Sequence, residues 1–237
     1  MKCFVLAAGY ATRLYPLTEN FPKPLLPVAG RTILDRALDG LEMDVVVISN
    51  HRFLSHFEAW ARGKNVTVLD DGSTDNAHRL GAVRDIEFAL TKTGASDDVL
   101  VIAGDNLLTF PLSNFVSYAR EKGTSCVMCH EEHDLKKLQK TAVITVREDG
   151  LITSYEEKPM APRGHLAVPP FYYYRAEDVR RIPEALAEGC GYDAPGSFAA
   201  WLSGKTAMHA WTMPGPRYDI GDIASYTEAR RLFGESI

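Results

Sequence analysis

Through the first half of the chain, short runs of consecutive apolar residues alternate with stretches whose apolar positions recur every three or four residues. The runs Lys2–Ala8, Asp44–Ser49, Val66–Leu69 and Val99–Ala103 predict buried strands. Between them Ile33–Leu41, His51–Arg62 and Leu80–Thr91 predict helices. Such βαβ alternation predicts an α/β fold: a mixed, mostly parallel central sheet with helices on both faces and a ligand crevice at the strands' carboxyl ends. The second half changes character. Ser113–Lys122 predicts a helix and Thr124–His130 a strand, while Thr141–Arg147 and Leu151–Glu157 flank Glu148-Asp149-Gly150. That arrangement predicts a hairpin with Gly150 in the left-handed position, a small subregion added to the main sheet. An aromatic run, Pro170 to Tyr174, leads into a helix over Ala176–Glu188, a strand over Ala207–Met213 and an amphipathic helix over Ile223–Phe233. No linker or repeat interrupts the pattern, so a single compact domain over residues 1–237 is expected.

Composition narrows the functional classes. Of the 237 residues 46% are hydrophobic and 24% charged, near globular averages. A formal net charge of −5 argues against nucleic-acid binding. No apolar run approaches the ~20 residues of a membrane span. The amino-terminal apolar stretch ends at Gly9 with Arg13 close behind, unlike a signal peptide. A cytoplasmic protein is expected. The four cysteines are too few for a disulfide framework. Cys126-Val-Met-Cys129-His130 has the spacing of haem attachment, but on a strand the two cysteines point to opposite faces and are expected to pack as small hydrophobes.

The most informative stretch runs from Leu6 to Gly30. A loop carrying Gly9, Thr12 and Arg13 follows the first strand, and Lys23 stands between Pro22 and Pro24. Glycine lets backbone approach a ligand, and loop N–H groups with an arginine suit phosphate oxygens. The flanking prolines fix the backbone, so the lysine ammonium is aimed. This predicts a triphosphate cradle without the Walker string G-x-x-x-x-G-K-[ST]. A second signal is Gly104-Asp105-Asn106, where an apolar strand leaves the sheet. A carboxylate there suits Mg²⁺ on phosphates, or simply caps a turn. Glu156-Glu157-Lys158-Pro159 ends the hairpin, with Lys158 expected to be extended before its proline. Glu157 and Lys158 would face opposite ways in a regular strand, so a shared pocket requires the strand to break near Pro159. Asp219, in Arg217-Tyr-Asp219-Ile-Gly-Asp222, sits at a strand exit, and Asp222 is placed to cap the last helix.

In this order the motifs resemble the sugar-1-phosphate nucleotidylyltransferase family, over nearly the whole chain. The resemblance implies a Rossmann-like fold and transfer of a nucleotide from an NTP to a sugar phosphate, with pyrophosphate released. It implies a nucleotide-binding half over 1–112 and an acceptor-binding half over 113–237. The backbone of Leu6, Ala7, Ala8 and Gly9, with Thr12, would approach the nucleotide. Arg13 and Lys23 would act on the β- and γ-phosphates and the departing pyrophosphate. Asp105, also nucleotide-facing, and Asp219 would hold Mg²⁺. Lys158 would grip the acceptor phosphate, and Glu157 its hydroxyls. Partners would be the NTP and a phosphorylated small molecule, with no nucleic acid or membrane; a homo-oligomer is left open.

This chain departs from the family pattern at several places. Ala11 stands where many members have glycine, which is tolerable if the backbone there is not left-handed. The base-reading segment lacks the usual glutamine, leaving Asn76 and Gly81 as the candidates for base contacts, or Asn76 as part of a plain polar loop. Tyr218 replaces a frequent tryptophan. Tyr172–Tyr174 with Trp201 and Trp211 can form a core, or a wall with Tyr172 facing the acceptor. An aromatic cage would favour phosphocholine as acceptor of CMP over a sugar 1-phosphate. A nucleotide sensor without catalysis is the other alternative, but Arg13, Lys23, Asp105 and Asp219 are all kept.

Overall fold

The computed structural model describes residues 1–234. In chain order the elements begin with β1 (Lys2–Leu6), β2 (Pro27–Val28), β3 (Arg31–Thr32), α1 (Ile33–Ala37) and β4 (Asp44–Ser49). Then come α2 (Leu54–Ala61), β5 (Val66–Asp70), α3 (Ala82–Thr93), β6 (Val99–Ala103), β7 (Asn106–Leu108) and α4 (Leu112–Lys122). Next follow β8 (Ser125–Glu131), α5 (Leu135–Leu138), β9 (Ala142–Val146), β10 (Ile152–Glu157), β11 (Leu166–Val168) and β12 (Phe171–Tyr174). Last are α6 (Ala176–Val179), α7 (Ile182–Ala187), α8 (Gly196–Ser203), β13 (Met208–Thr212), β14 (Arg217–Asp219) and α9 (Ile223–Leu232). The fold is mixed α/β, with helices flanking sheet. Among the described residues no helix is long and apolar enough to cross a membrane.

The chain divides into two compact units whose segments interleave in sequence. One comprises residues 4–79, 103–113 and 215–237. Its strands β4 and β5 pair in parallel, Val45 with Val66 through to Ser49 with Asp70. Val45, Val46, Val47 and Ile48 are all buried, as a strand covered on both faces requires. Burial of each such aliphatic side chain contributes about 1.5–3 kcal/mol. A second core of this unit gathers Leu14 and Leu26 from the first loop, Leu107 from a short ribbon, Ile220 just after it, and Tyr226 and Ala229 from α9. That ribbon is β7 paired antiparallel with β14, Asp219 lying opposite Asn106.

The other unit comprises residues 1–3, 80–102 and 114–214. Its strands run in the order β10-β9-β11-β8-β12-β6, with β13 added in parallel to β8. The hairpin β9–β10 forms as expected, with Gly150 at φ +85° and its N–H donating to Arg147 O at 2.9 Å. Cys126 and Cys129 lie buried in β8, and desolvation raises both thiol pKa values, that of Cys126 to about 11.

Differences from the sequence pattern have local causes. The helix expected over Ala176–Glu188 is two, α6 and α7. Pro183 near the start of α7 lacks an N–H and its ring would clash with the carbonyl of Val179, so one continuous helix cannot form. The His51–Arg62 helix opens as a 3₁₀ turn, His51–Phe53, capped by Asn50 Oδ1 accepting from Phe53 N at 2.9 Å. Gly81 stands outside α3 as its N-cap because its φ of +97° is not helical, and it packs so close to Tyr192 that an ideal Cβ would lie 2.6 Å from that ring.

Candidate active site

The first-mentioned unit carries a cradle built around Lys23. The loop after β1 is pinned to the end of β4: Ala7 N donates to Ile48 O at 2.9 Å, and the fully buried Asn50 donates from Nδ2 to Ala8 O at 2.9 Å. Beyond Leu6, the last residue of β1, Gly9 is exposed and open on its Cβ side. Ala11 adopts φ +47°, ψ +41°, the left-handed conformation that its replacement of glycine disfavours. Leu14 N and Thr18 Oγ1 hold that turn by donating to Ala11 O at 3.0 and 2.8 Å. The 3₁₀ turn Thr12–Leu14 then presents Thr12 and Arg13 on the surface.

Pro22 and Pro24 set Lys23 in a second 3₁₀ turn, and only 6% of the lysine is exposed. Gly104 makes room for this turn: an ideal Cβ there would press on Pro24 at 3.2 Å and Val5 at 3.1 Å. Lys23 Nζ therefore reaches Asp105 Oδ2 at 2.8 Å. Asn106 Nδ2 donates to Asp105 Oδ1 at 2.6 Å, and its own Oδ1 accepts from Arg217 Nη1. Arg217 Nη1 stands 3.9 Å from Asp219 Oδ2. The result is a chain of alternating charge, Lys23, Asp105, Asn106, Arg217, Asp219, assembled by the β7–β14 ribbon. The ribbon is fixed further by Ile220 N donating to Asp105 O at 3.2 Å. Asp219 has its carboxyl pKa raised, first by desolvation and then by the negative charge of Asp105. Arg217, Lys23 and Arg13 act in the opposite direction, which places Arg13 in the same electrostatic group. Asp222 caps α9 as expected, its Oδ1 accepting from Ser225 N at 2.8 Å.

A carboxylate whose charge is disfavoured by burial and by a neighbouring carboxylate fits a site for a divalent cation. Among the described residues no third histidine, cysteine or acid joins them. That suits a hard cation bound by one or two carboxylates and completed by phosphate oxygens and water, rather than a closed protein cage.

The other unit carries a cavity of about 270 Å³, lined among others by Thr141, Glu157, Lys158, Tyr172, Asp193 and Gly196. Strand β10 ends at Glu157, and Lys158 is not extended as expected: it lies at φ +48°. Its N–H donates to Thr141 O at 3.1 Å, a tie that holds the left-handed turn. This twist is the break that lets Glu157 and Lys158 line one cavity. Glu156 points elsewhere, pairing with Arg163 at 2.9 Å. Glu157 Oε2 is buried with no hydrogen-bond partner, and desolvation raises the carboxyl pKa against the opposing pull of Lys158.

The aromatic run is core. Tyr172, Tyr173 and Tyr174 are all buried, Tyr172 and Tyr174 stack at 5.7 Å, and Tyr173 donates to Asp98 at 2.6 Å. Only Tyr172 reaches the cavity wall. Trp201 is covered by Arg181 and Lys205, 4.9 and 5.1 Å from its ring centroid, and Trp211 packs on Phe115. Asn76 opens an exposed 3₁₀ turn, its Oδ1 accepting from Arg79 at 3.0 Å, and Gly81 is the N-cap of α3. The sequence carries no motif that would give a role to Asn50, Arg217 or Gly196 by itself. Arg217 stands nearest to one, two residues before Asp219.

The sequence matches the family described as nucleotidyl transferase across residues 2–235. It is 31% identical to the UTP–glucose-1-phosphate uridylyltransferase AglF of Haloferax volcanii, over 99% of this chain and 97% of that protein. It is 29% identical to a putative mannose-1-phosphate guanyltransferase of Sulfolobus acidocaldarius, over 77% of this chain but only 50% of that protein. In structure it is similar to a putative glucose-1-phosphate thymidylyltransferase from Bacillus anthracis, with a TM-score of 0.84 at 21% identity, covering 100% of this chain and 96% of that one. It is also similar to a UDP-glucose pyrophosphorylase complexed with UDP-glucose, at a TM-score of 0.81 and 20% identity over 98% of this chain and 97% of that one. These structural likenesses speak for the fold.

Proposed function

The chain belongs to the nucleotidyl transferase family, and from that premise we propose that it transfers a nucleoside monophosphate from an NTP to a sugar 1-phosphate, releasing pyrophosphate and forming an NDP-sugar. The observation that carries this reading is the buried Lys23 paired with Asp105 in a chain that ends at a second carboxylate, Asp219. In the proposal the whole chain, 1–237, acts as one catalytic domain, with 1–112 serving the nucleotide and 113–237 the acceptor. The free state of all four cysteines supports a cytoplasmic setting.

The backbone of Leu6–Gly9 and Thr12 receives the nucleotide, with Asn76 and Gly81 reading the base. Arg13 and Lys23 bind the β- and γ-phosphates and neutralise charge that builds on the leaving pyrophosphate. Asp105 and Asp219 hold Mg²⁺, which when bound supplies charge neutralisation at the α-phosphate. Lys158 grips the acceptor phosphate, Glu157 accepts from sugar hydroxyls, and Tyr172 forms the wall beside them. No protein nucleophile is required, because the acceptor phosphate oxygen is already anionic. Rate enhancement then comes from alignment of that oxygen with the α-phosphorus and from a charge pattern built before the substrate arrives.

The cavity favours a polyol over a quaternary ammonium head. An aromatic cage needs open ring faces, whereas here the rings of Tyr172 and Tyr174 face each other and Trp201 is capped by cations. The test is a matrix of four NTPs against several sugar 1-phosphates and phosphocholine, with Mg²⁺ and product masses read out. An NDP-sugar from one NTP–sugar combination is expected. Tight NTP binding with no product from any pair would sink the enzyme reading in favour of a sensor.

A further inference from the structure

The proposed function gives Arg217 no task, yet this side chain links the two carboxylates of the cradle. In the β7–β14 ribbon Arg217 stands two residues before Asp219, and Asp219 lies opposite Asn106. Residues two apart on a strand, and residues directly opposite on its neighbour, share a face. The register therefore brings guanidinium, carboxylate and amide to one side of the ribbon. The Arg217 side chain is only 18% exposed there, 3.9 Å from Asp219 Oδ2, and its Nη1 donates to Asn106 Oδ1. A guanidinium can only donate, so the buried Asn106 must turn its oxygen towards Arg217. Its amide nitrogen is thereby aimed at Asp105 Oδ1, to which it donates at 2.6 Å. Lys23 takes the other oxygen of Asp105 at 2.8 Å. With both oxygens held, the orientation of Asp105 is set by an arginine that it does not touch.

Arg217 also acts by its charge. A divalent cation taken up by Asp105 and Asp219 meets Lys23 beside one carboxylate and Arg217 beside the other. Arg13 adds a third positive charge, its Nη1 and Nη2 lying 3.8 and 3.9 Å from an ideal Cβ on Gly221. The other acid of this segment, Asp222, is occupied at the start of α9, where its Oδ1 accepts from Ser225 N and Oγ, each at 2.8 Å. Like charges oppose a bare cation, whereas a cation carried by a triphosphate arrives with an excess of negative charge. We propose that Arg217 is a positioning residue for the two carboxylates: through Asn106 it orients Asp105, and by its own charge it holds the place beside Asp219 until a divalent cation arrives on the triphosphate. The inference rests on the proposed metal site and adds what keeps that site shaped, and closed to bare cations, before the substrate binds.

The test uses Mn²⁺ as the probe and measures its affinity for the full chain by electron paramagnetic resonance. The wild type, Arg217→Lys and Arg217→Met are compared with and without an unreactive NTP analogue that has a methylene group between the α- and β-phosphorus. The wild type is expected to bind Mn²⁺ at least about tenfold more tightly with the analogue than without it. Arg217→Met removes the charge, so its affinity for bare Mn²⁺ is expected to rise about tenfold. Its kcat is expected to fall about tenfold, because Asn106 and Asp105 lose their orientation. Arg217→Lys keeps the charge but not the planar fork, so bare Mn²⁺ should bind it as weakly as the wild type while kcat still falls. Metal affinity thus follows the charge and kcat the guanidinium, a split that lost packing alone does not produce. Equal affinity for bare Mn²⁺ in all three proteins would overturn the proposal, as would wild-type kcat in Arg217→Met. Arg217→Gln, also neutral, takes the place of Arg217→Met if that variant fails to fold, with the same expectation for bare Mn²⁺. The Mn²⁺ measurement needs no acceptor, so its outcome is independent of which sugar phosphate is used. No binding of Mn²⁺ by the wild type in either condition would overturn the metal-site reading, and this inference with it.

Discussion

In the proposed function the cradle and the acceptor cavity meet the same demand, receiving phosphate and polar groups, in opposite ways. In the cradle each ionic side chain from Lys23 to Asp219 already has a neighbour of opposite sign or a hydrogen bond, and prolines and Gly104 lock the backbone beneath. In the cavity Glu157 Oε2 lacks a partner, and Lys158 stands exposed on a left-handed residue. The first is preorganised for charge whose position hardly varies among NTPs. The second keeps a carboxylate oxygen unpaired, which the acceptor would complete in the proposed function. On the proposed function, chemistry would thus be fixed where the substrate is generic, and selection placed where the substrate is particular.

The contrast breaks most severely if a cradle carboxylate is neutralised. Asp105→Asn keeps the shape but removes the charge opposite Lys23, so kcat is expected to fall by about 10³-fold with thermal stability retained. Steady-state kinetics and a melting curve check this, and near-wild-type turnover would remove Asp105 from the site. On the cavity side, Lys158→Ala should raise acceptor KM by about tenfold and leave NTP affinity unchanged, as calorimetry with each substrate would show. Loss of NTP affinity alone would exchange the roles assigned to the two regions.

Glu157 sharpens the comparison through pH. Its folded pKa is raised, so the folded state holds the proton more firmly than the unfolded chain. Stability is therefore lost as pH rises from the unfolded value through the folded one, and the penalty is complete above that. Glu157→Gln removes the charge, so its Tm should exceed that of the wild type at pH 8, with the gap closing towards pH 4. Acceptor binding should weaken in the same variant, separating the cost of the carboxylate from its use. A gap independent of pH would show that desolvation of this carboxyl is not its source. The smallest effect belongs to Ala11→Gly, expected to stabilise by about 0.5–1 kcal/mol by relieving the left-handed alanine, less the entropy glycine adds to the unfolded chain. Denaturant titration measures it, and destabilisation would mean that the turn tolerates a Cβ without strain.

How much of this was legible in sequence follows the same division. Strands β4 and β6 coincide with their predicted bounds because they are continuous aliphatic runs, which only a strand buried on both faces accommodates at that length. Lys23 and Asp105 stand out because prolines and a glycine beside them mark fixed backbone in a short window. The β7–β14 ribbon was not legible, since three residues carry no period, yet it joins Asp105 to Asp219. The cavity wall was hidden for a related reason. Gly196 follows a proline like many loop glycines, and only its approach to Glu157 gives it a place on the cavity wall. Lys158 was expected to be extended from the steric rule for residues before proline. Its bond to Thr141 O is a tertiary tie that overrides this local preference.

The most direct measurement of the central claim, direct attack by the acceptor phosphate on a nucleotide held in the cradle, follows oxygen. The protein is given its NTP and a sugar 1-phosphate carrying ¹⁸O in the phosphate, and both products are weighed by mass spectrometry. The account predicts that all of the label enters the NDP-sugar, that pyrophosphate is unlabelled, and that none is released without the acceptor. Label in pyrophosphate, or a nucleotide left covalently on the protein when the acceptor is withheld, would contradict it.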